Sequence, residues 1–432
     1  MKGHAAIHFP FGRELLTWQP APELDVTLLS KTVVRPSAPP EELVAQALAN
    51  PVGSPSISEL ARGARTATIV VTDATRPCPD RLLVQPLLDE LAAAGLPDSA
   101  ITLLVAIGMH RPSTLEEKIE KLGAAIVDRY RVVDSAPLDP ELQLDLGSSA
   151  DGVPISIDRR AAEADLLIAT GIVEPHQYAG FSGGWKTVAI GTAGQATITA
   201  LHGMAYLEHP GVRLGVTDKN PFLEIARWVG ERAGLKFVVN VSLDADGGIL
   251  RAMAGHPESV HRDLSVWVRD HAIVPVDSAF PIVIGAAGHP KDSNLYQATR
   301  IPTYLCFGRR PVVERGGVII VPAACPEGAG QGTGERLFEE MLSRGLEPAA
   351  IVALAQREGY PAGGQRAVMV AWAQQFATLA FVGTVDPDLP KRLGLVGFRT
   401  IEEAVDWAVH RTGSDRVLAV PQALTTLPET CE

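Results

Sequence analysis

Three observations predict an α/β protein of two α/β domains with mainly parallel sheets. From about residue 67, short β-branched runs alternate with longer helical segments, the pattern of βα units. The alternation restarts near residue 280. The length, 432 residues, suits two or three cores at roughly 100–200 residues per domain. We expect an N-terminal α/β domain over 1–275 and a C-terminal one over 276–412, with 413–432 allowed to return to the first.

In the first half, Ala67–Thr72, Ile101–Ile107, Asp165–Ala169 and Lys236–Val241 read as buried strands, because each is a short, mostly apolar run. Arg81–Ala94 reads as a helix between the first two. Ser113 and Glu116 fit a capping box opening another, a hydroxyl followed three residues later by a carboxylate. The acidic, Gly-containing stretch Asp244–Gly248 and a helix near 257–270 place the domain border around 272–280. In the second half, Pro281–Ala286, Gly317–Pro322 and Leu379–Val382 read as strands, separated by helices near 334–344, 348–358, 364–376 and 400–411. Residues Arg416–Pro421 read as a last strand. Trp18, Trp267 and Trp407 sit in apolar patterns and read as core.

The composition excludes several classes. With 46% hydrophobic and 20% charged residues, the chain is neither disordered nor coiled coil. The formal charge of −12, without long runs of like charge, disfavours nucleic acid and anionic membranes as partners. The four cysteines form no CxxC pair, and no run long enough to span a membrane occurs. These features, with no secretory leader, point to a reduced, cytoplasmic protein.

Ligands of open parallel sheets bind beyond the carboxyl ends of the strands. The loops there are rich in chemistry. The first carries Asp73-Ala-Thr75-Arg76-Pro77, the second Gly108-Met-His110-Arg-Pro, and the third runs from Thr170 to Lys186 through His176, Gly183 and Gly184. The loop of the second half spans Gly288 to Gln297. Asp73 and Arg76 suit a phosphate or carboxylate site, since a guanidinium pairs two oxygens at once; a structural Asp–Arg turn is the alternative. Gly180–Thr187 resembles a phosphate loop, but Trp185 stands where that motif needs glycine. Its glycines still permit close backbone approach to an anion, and Lys186 is a candidate phosphate ligand or nucleophile. His110 and His176 lie in polar loops and are candidates for a pair of general bases, because imidazole titrates near neutral pH. Taken singly, each reads as structural, and His202 alone reads as packing.

Taken together and in order, these pieces resemble the lactate racemase family of nickel-pincer-nucleotide enzymes. The matching segments are Asp73–Pro77, Gly108–Pro112, Glu174-Pro-His176 with Gly180–Lys186, His202-Gly203, and Pro290–Gln297. The resemblance implies two α/β domains with the active site in the cleft between them. It implies a cofactor of nickel and a pyridinium mononucleotide bearing two sulfur-substituted carboxyl groups, loaded by cofactor biosynthesis proteins. Lys186 would carry it as a thioamide and His202 would complete the nickel coordination, a soft-donor square-planar site that suits Ni(II). Asp73, Thr75, Gly183 and Gly184 would contact the nucleotide, and Arg76 would face the substrate carboxylate. His110 and His176 would serve as acid and base for racemising a 2-hydroxy acid.

Two departures bear on the substrate. After Gln297 the family's lactate enzymes resemble Gln-x-x-Lys, whereas this chain has Arg300; Arg366 follows Gln365 where an aromatic residue is expected. Arg76 or Arg300 is assigned the C1 carboxylate and the other, or Arg366, a distal carboxylate, which points to malate, with lactate or another 2-hydroxy acid as the alternative. The reading from a different class is a non-catalytic protein that binds nucleotide or hydroxy acid on the same scaffold. A nicotinamide dehydrogenase lacks its GxGxxG fingerprint here.

Overall fold

The structure is a computed structural model, and it describes residues 4–29, 34–149, 151–244, 246–361 and 363–431. The chain forms two units. The first comprises the described residues of Val33–Val212 and Val216–Asp270; the second comprises those of Met1–Thr32, Arg213–Gly215 and His271–Glu432.

The first unit is built on a six-stranded sheet in the order Ile249–Gly255, Leu235–Leu243, Leu166–Ile172, Ala67–Thr72, Ile101–Ala106, Arg131–Asp134. All neighbours are parallel except the first pair. The four predicted strands are all present. The central ones are buried along their whole length, which is why they read as unbroken apolar runs. Ile69, Val71, Leu103 and Ile168 pack against Leu83, Leu87 and Leu91 of helix Asp80–Ala93. Each such fully buried side chain contributes about 1.5–3 kcal/mol before entropy is counted. The capping box forms one residue later than expected, on Thr114 and Glu117, so the helix is Leu115–Leu122.

The second unit holds a wholly parallel six-stranded sheet in the order Val396–Phe398, Thr378–Val382, Val313–Pro322, Phe280–Gly285, Arg416–Val420, Asp25–Leu28. Helix Ile401–Thr412 buries Ile401, Val405 and Ala408 on it, and Phe9 and Trp18 join the same core. The expected return of residues 413–432 to the N-terminal domain does not occur. Arg416–Val420 needs a neighbour on each side, and it finds them in Phe280–Gly285 and in Asp25–Leu28. The N-terminal stretch joins the later unit instead. No helix among the described residues is long and apolar enough to cross a membrane.

Candidate functional site

In the first sheet the chain starts at Ala67–Thr72, builds outward through Ile101–Ala106, and then returns to lay Leu166–Ile172 on the opposite side. The order reverses between those two strands, and at such a switch point the loops leaving the carboxyl ends diverge and leave room for a ligand. Asp73, Thr75 and Arg76 follow one of these strands, His176 and Lys186 follow the other, and His110 follows the neighbouring strand.

Asp73 is buried, and both its oxygens are engaged. Oδ2 is hydrogen-bonded to Nδ1 of His110. Oδ1 accepts from the Thr75 hydroxyl at 2.9 Å and lies 3.9 Å from Nε of Arg76. Burial alone would raise the Asp73 carboxyl, but the His110 imidazole, Arg76 and Thr75 together hold it well below the usual carboxylate range. An ionised carboxylate can only accept, so Nδ1 of His110 is the donor, and in the neutral ring Nε2 carries the lone pair. The His110 side chain is 39% exposed, so that nitrogen lies at the edge of the protein rather than in its core.

Beneath this loop is a buried ion pair that the sequence did not flag. Lys121 reaches Oδ2 of Asp80 at 3.0 Å and donates to the carbonyls of Arg76 at 2.8 Å and Cys78 at 2.9 Å. Asp80 is fully buried and also accepts from the hydroxyls of Thr72 at 2.6 Å and Thr170 at 2.5 Å. Strand ends, loop backbone and helix start are thereby tied at one carboxylate. An aspartate at a helix start reads as a capping residue, which hid this role.

His176 sits in a tight hairpin, Pro175–His176 paired with Gly180–Phe181. Its Nδ1 accepts the backbone N–H groups of Tyr178 and Ala179, each at 3.2 Å. Ser182 pins the hairpin by donating to the carbonyl of Ile172 at 2.8 Å and accepting from the Glu174 N–H at 3.0 Å. The glycine loop then turns through Gly183 and Gly184, at φ +83° and +54°, conformations that disfavour any other residue. The Gly184 N–H donates to Oδ1 of Asn240 at 2.7 Å, so the backbone that a phosphate cradle would use is turned to a side chain. Lys186 opens the four-residue helix Lys186–Ala189.

His202 lies at the end of helix Gln195–Leu201, with its ring 4.9 Å from Tyr178 and 5.6 Å from Phe222. Tyr178 also lies 6.0 Å from the His176 ring, so one aromatic cluster joins the two histidines. Nδ1 of His202 meets the carbonyl of Ile198 at 2.8 Å; a carbonyl only accepts, which leaves the lone pair on Nε2. An imidazole held this way from behind is able to ligate a metal through Nε2. Among the described residues, no group of three His, Cys, Asp or Glu side chains is placed to hold a metal. An ion on His202 would therefore take its other donors from a bound organic ligand, and a pincer of carbon and sulfur fits that requirement.

In the second unit, Asn294 caps the helix Leu295–Ala298, which carries Gln297. Arg300 and Arg366 are both buried, at 7% and 4% exposure. Arg300 donates to the Tyr304 hydroxyl at 3.1 Å, and Arg366 to the Thr303 hydroxyl at 3.4 Å while lying over the Tyr296 ring. The two guanidiniums thus converge on one turn of helix Arg300–Cys306. Arginine suits such burial because it is weakly hydrated and stacks on aromatic faces.

Comparison with known proteins finds relatives over most of the chain. Residues 11–215 match the family described as lactate racemase N-terminal domain. The chain is 34% identical to a lactate racemase of Lactiplantibacillus plantarum over 393 residues, covering 89% of this chain and 90% of that one. It is 33% identical to a lactate racemase of Thermoanaerobacterium thermosaccharolyticum over 338 residues, 78% of each. The solved lactate racemase apoprotein from the latter organism superposes with a TM-score of 0.87 at 28% identity, covering 98% of this chain and 100% of that one. A Thermotoga maritima protein shares the fold at a TM-score of 0.70 and 18% identity, with 92% and 100% covered. By sequence identity sustained over most of its length, the chain belongs to the lactate racemase family.

Proposed function

We propose that this protein interconverts the enantiomers of a 2-hydroxy acid with a nickel-pincer nucleotide attached to Lys186, and that its substrate is malate. The observation that carries the reading is the Asp73–His110 pair at the carboxyl end of a parallel sheet, in a chain whose relatives are named lactate racemases.

The chemistry demands more than a base, because a Cα–H bond beside an ionised carboxylate is poorly acidic. Hydride acceptance from Cα is what the bound nickel-pincer nucleotide supplies. Lys186 would hold it through a thioamide, His202 would ligate the nickel through Nε2, and Thr75, Gly183 and Gly184 would border the nucleotide. Asp73, with both oxygens committed, orients His110 rather than facing a phosphate of like charge. His110 takes the substrate hydroxyl proton at Nε2, and His176 is the second imidazole at the substrate.

Arg76 is assigned the C1 carboxylate, and Arg300 and Arg366, with Gln297, the distal one. Buried guanidiniums at Arg300 and Arg366, at positions where the family's lactate enzymes resemble a lysine and an aromatic residue, support a distal carboxylate and so malate over lactate. The test supplies loaded enzyme with one enantiomer of malate or of lactate and follows the other by chiral chromatography. Faster turnover of malate, lost in Arg366→Leu, supports the assignment. Faster turnover of lactate overturns malate, and no turnover of any 2-hydroxy acid overturns the racemase.

A further inference from the structure

We infer that Asn240 is a positioning residue for Lys186: through the single peptide group between Gly183 and Gly184, it fixes where the helix bearing that lysine begins. The inference rests on the role proposed for Lys186 above and names the side chain, on another strand, that sets the backbone of that residue.

Asn240 interrupts an apolar strand. It lies in Leu235–Leu243 between buried valines, although asparagine is depleted in strands. It is fully buried, and among the described residues its Nδ2 meets no acceptor. A buried donor without a partner costs stability, and an apolar side chain of the same shape would avoid that cost. The amide is therefore held for its other end. Its Oδ1 accepts the Gly184 N–H at 2.7 Å, and because an N–H only donates, that contact also settles which end of the amide is oxygen.

Glycines on two sides make room for the amide. Gly171 stands directly across from Asn240 on the neighbouring parallel strand, where a Cβ would lie 3.2 Å from Nδ2 and 3.0 Å from the Thr187 hydroxyl. A Cβ on Gly183 would come 2.8 Å from Oδ1.

The peptide group that Asn240 holds has a second end. The N–H of Gly184 and the carbonyl of Gly183 belong to one plane, and that carbonyl accepts the Lys186 N–H at 3.1 Å. Helix Lys186–Ala189 starts on that bond. A peptide between two glycines turns over more easily than any other, since neither neighbour has a Cβ to resist. Trp185 is anchored separately, its indole N–H donating to Glu258 at 3.0 Å, but that bond does not hold the 183–184 plane. Asn240 does. With the N–H end fixed on Oδ1, the carbonyl end stays aimed at the Lys186 N–H, and the lysine leaves the loop in one direction. Holding a reacting amine in one direction is what makes its attachment to a ligand efficient.

The test uses cofactor-free protein and two variants: Asn240→Leu, which keeps the shape and loses the acceptor, and Asn240→Asp, which keeps an acceptor oxygen in the same place. Hydrogen exchange of single amides is followed by NMR. In Asn240→Leu the Gly184 and Lys186 N–H groups should both exchange at least about 10-fold faster while those of Val239 and Val241 keep their rates, and Asn240→Asp should restore both. Acetylation of Lys186 by the N-hydroxysuccinimide ester of acetic acid, mapped by mass spectrometry against the exposed Lys236, should change by about 10-fold in Asn240→Leu and return in Asn240→Asp. A Lys186 N–H that keeps its protection in Asn240→Leu overturns the inference, as do strand amides that lose theirs equally, an unchanged acetylation rate, or no recovery in Asn240→Asp. None of these readouts involves the nickel-pincer nucleotide, so the inference fails separately from the racemase reading, which is tested by turnover in loaded enzyme.

Discussion

Asp73 and His110 lie thirty-seven residues apart on loops that leave adjacent parallel strands, and they meet through Oδ2 and Nδ1. That single contact selects which ring nitrogen can act as a base. Replacing Asp73 by Asn removes the charge and lets the ring change tautomer, so kcat should fall by roughly 10²–10⁴-fold with a smaller effect on KM. Unchanged kcat would show that the carboxylate does not orient the base.

The same carboxylate makes stability depend on acid. Its folded pKa is depressed, so its contribution is complete above the unfolded value of about 3.9 and is lost as pH falls below it. Urea titrations of wild type should therefore show a steeper loss of stability below about pH 4 than those of Asp73→Asn. Parallel curves would contradict the pairing.

The Lys121–Asp80 pair should be costly to break from one side. Lys121→Met leaves a fully buried Asp80 carboxylate without its cation, at a cost of about 3–5 kcal/mol. Adding Asp80→Asn should recover part of that loss. A single variant within about 0.5 kcal/mol of wild type would mean that the brace carries nothing.

His261 gives a second pH signature, from a group that is charged when protonated. Burial lowers its pKa, against the carbonyls of Phe181 and Ser182 and the charge of Glu258, which raise it. The unfolded chain takes up this proton near pH 6.5 while the folded chain resists it, so stability is full above that pH and falls as pH drops below it. The slope contributed is at most about 1.4 kcal/mol per pH unit, and His261→Leu should remove it. An unchanged slope between about pH 6.5 and 5 would refute this.

Gly184→Ala tests the loop before Lys186. A Cβ there would come 2.7 Å from that of His261, on a backbone at φ +54°. The expected cost is about 1–3 kcal/mol, read as a lower melting temperature, together with weaker protection of the Gly184 N–H from hydrogen exchange. No change in either would mean that the turn relaxes freely.

The strands and the loops at their carboxyl ends were legible because buried parallel strands are written as unbroken apolar runs. Ala67–Thr72 and Phe280–Gly285 show this directly. What escaped was set by distant pairing. Asp25–Leu28 is mostly exposed and carries no apolar run; it is a strand because Arg416–Val420, far along the chain, offers it an edge. The capping box slipped by one because Ser113 to Glu116 and Thr114 to Glu117 satisfy the same pattern, and only the backbone chooses. In the site, the residue types at positions 73, 110, 176, 186 and 202 were visible, but the partners that fix each ring nitrogen were not. Those partners are a carboxylate, two hairpin N–H groups and a helix carbonyl, and two of the three are backbone.

The central claim is tested most directly by the intact mass of the protein after incubation with purified nickel-pincer nucleotide, for wild type beside Lys186→Ala. The account predicts a mass increase equal to the nucleotide in wild type and none in the variant. No increase in wild type, or an equal increase in both, would contradict it and leave a scaffold that binds its ligand in another way.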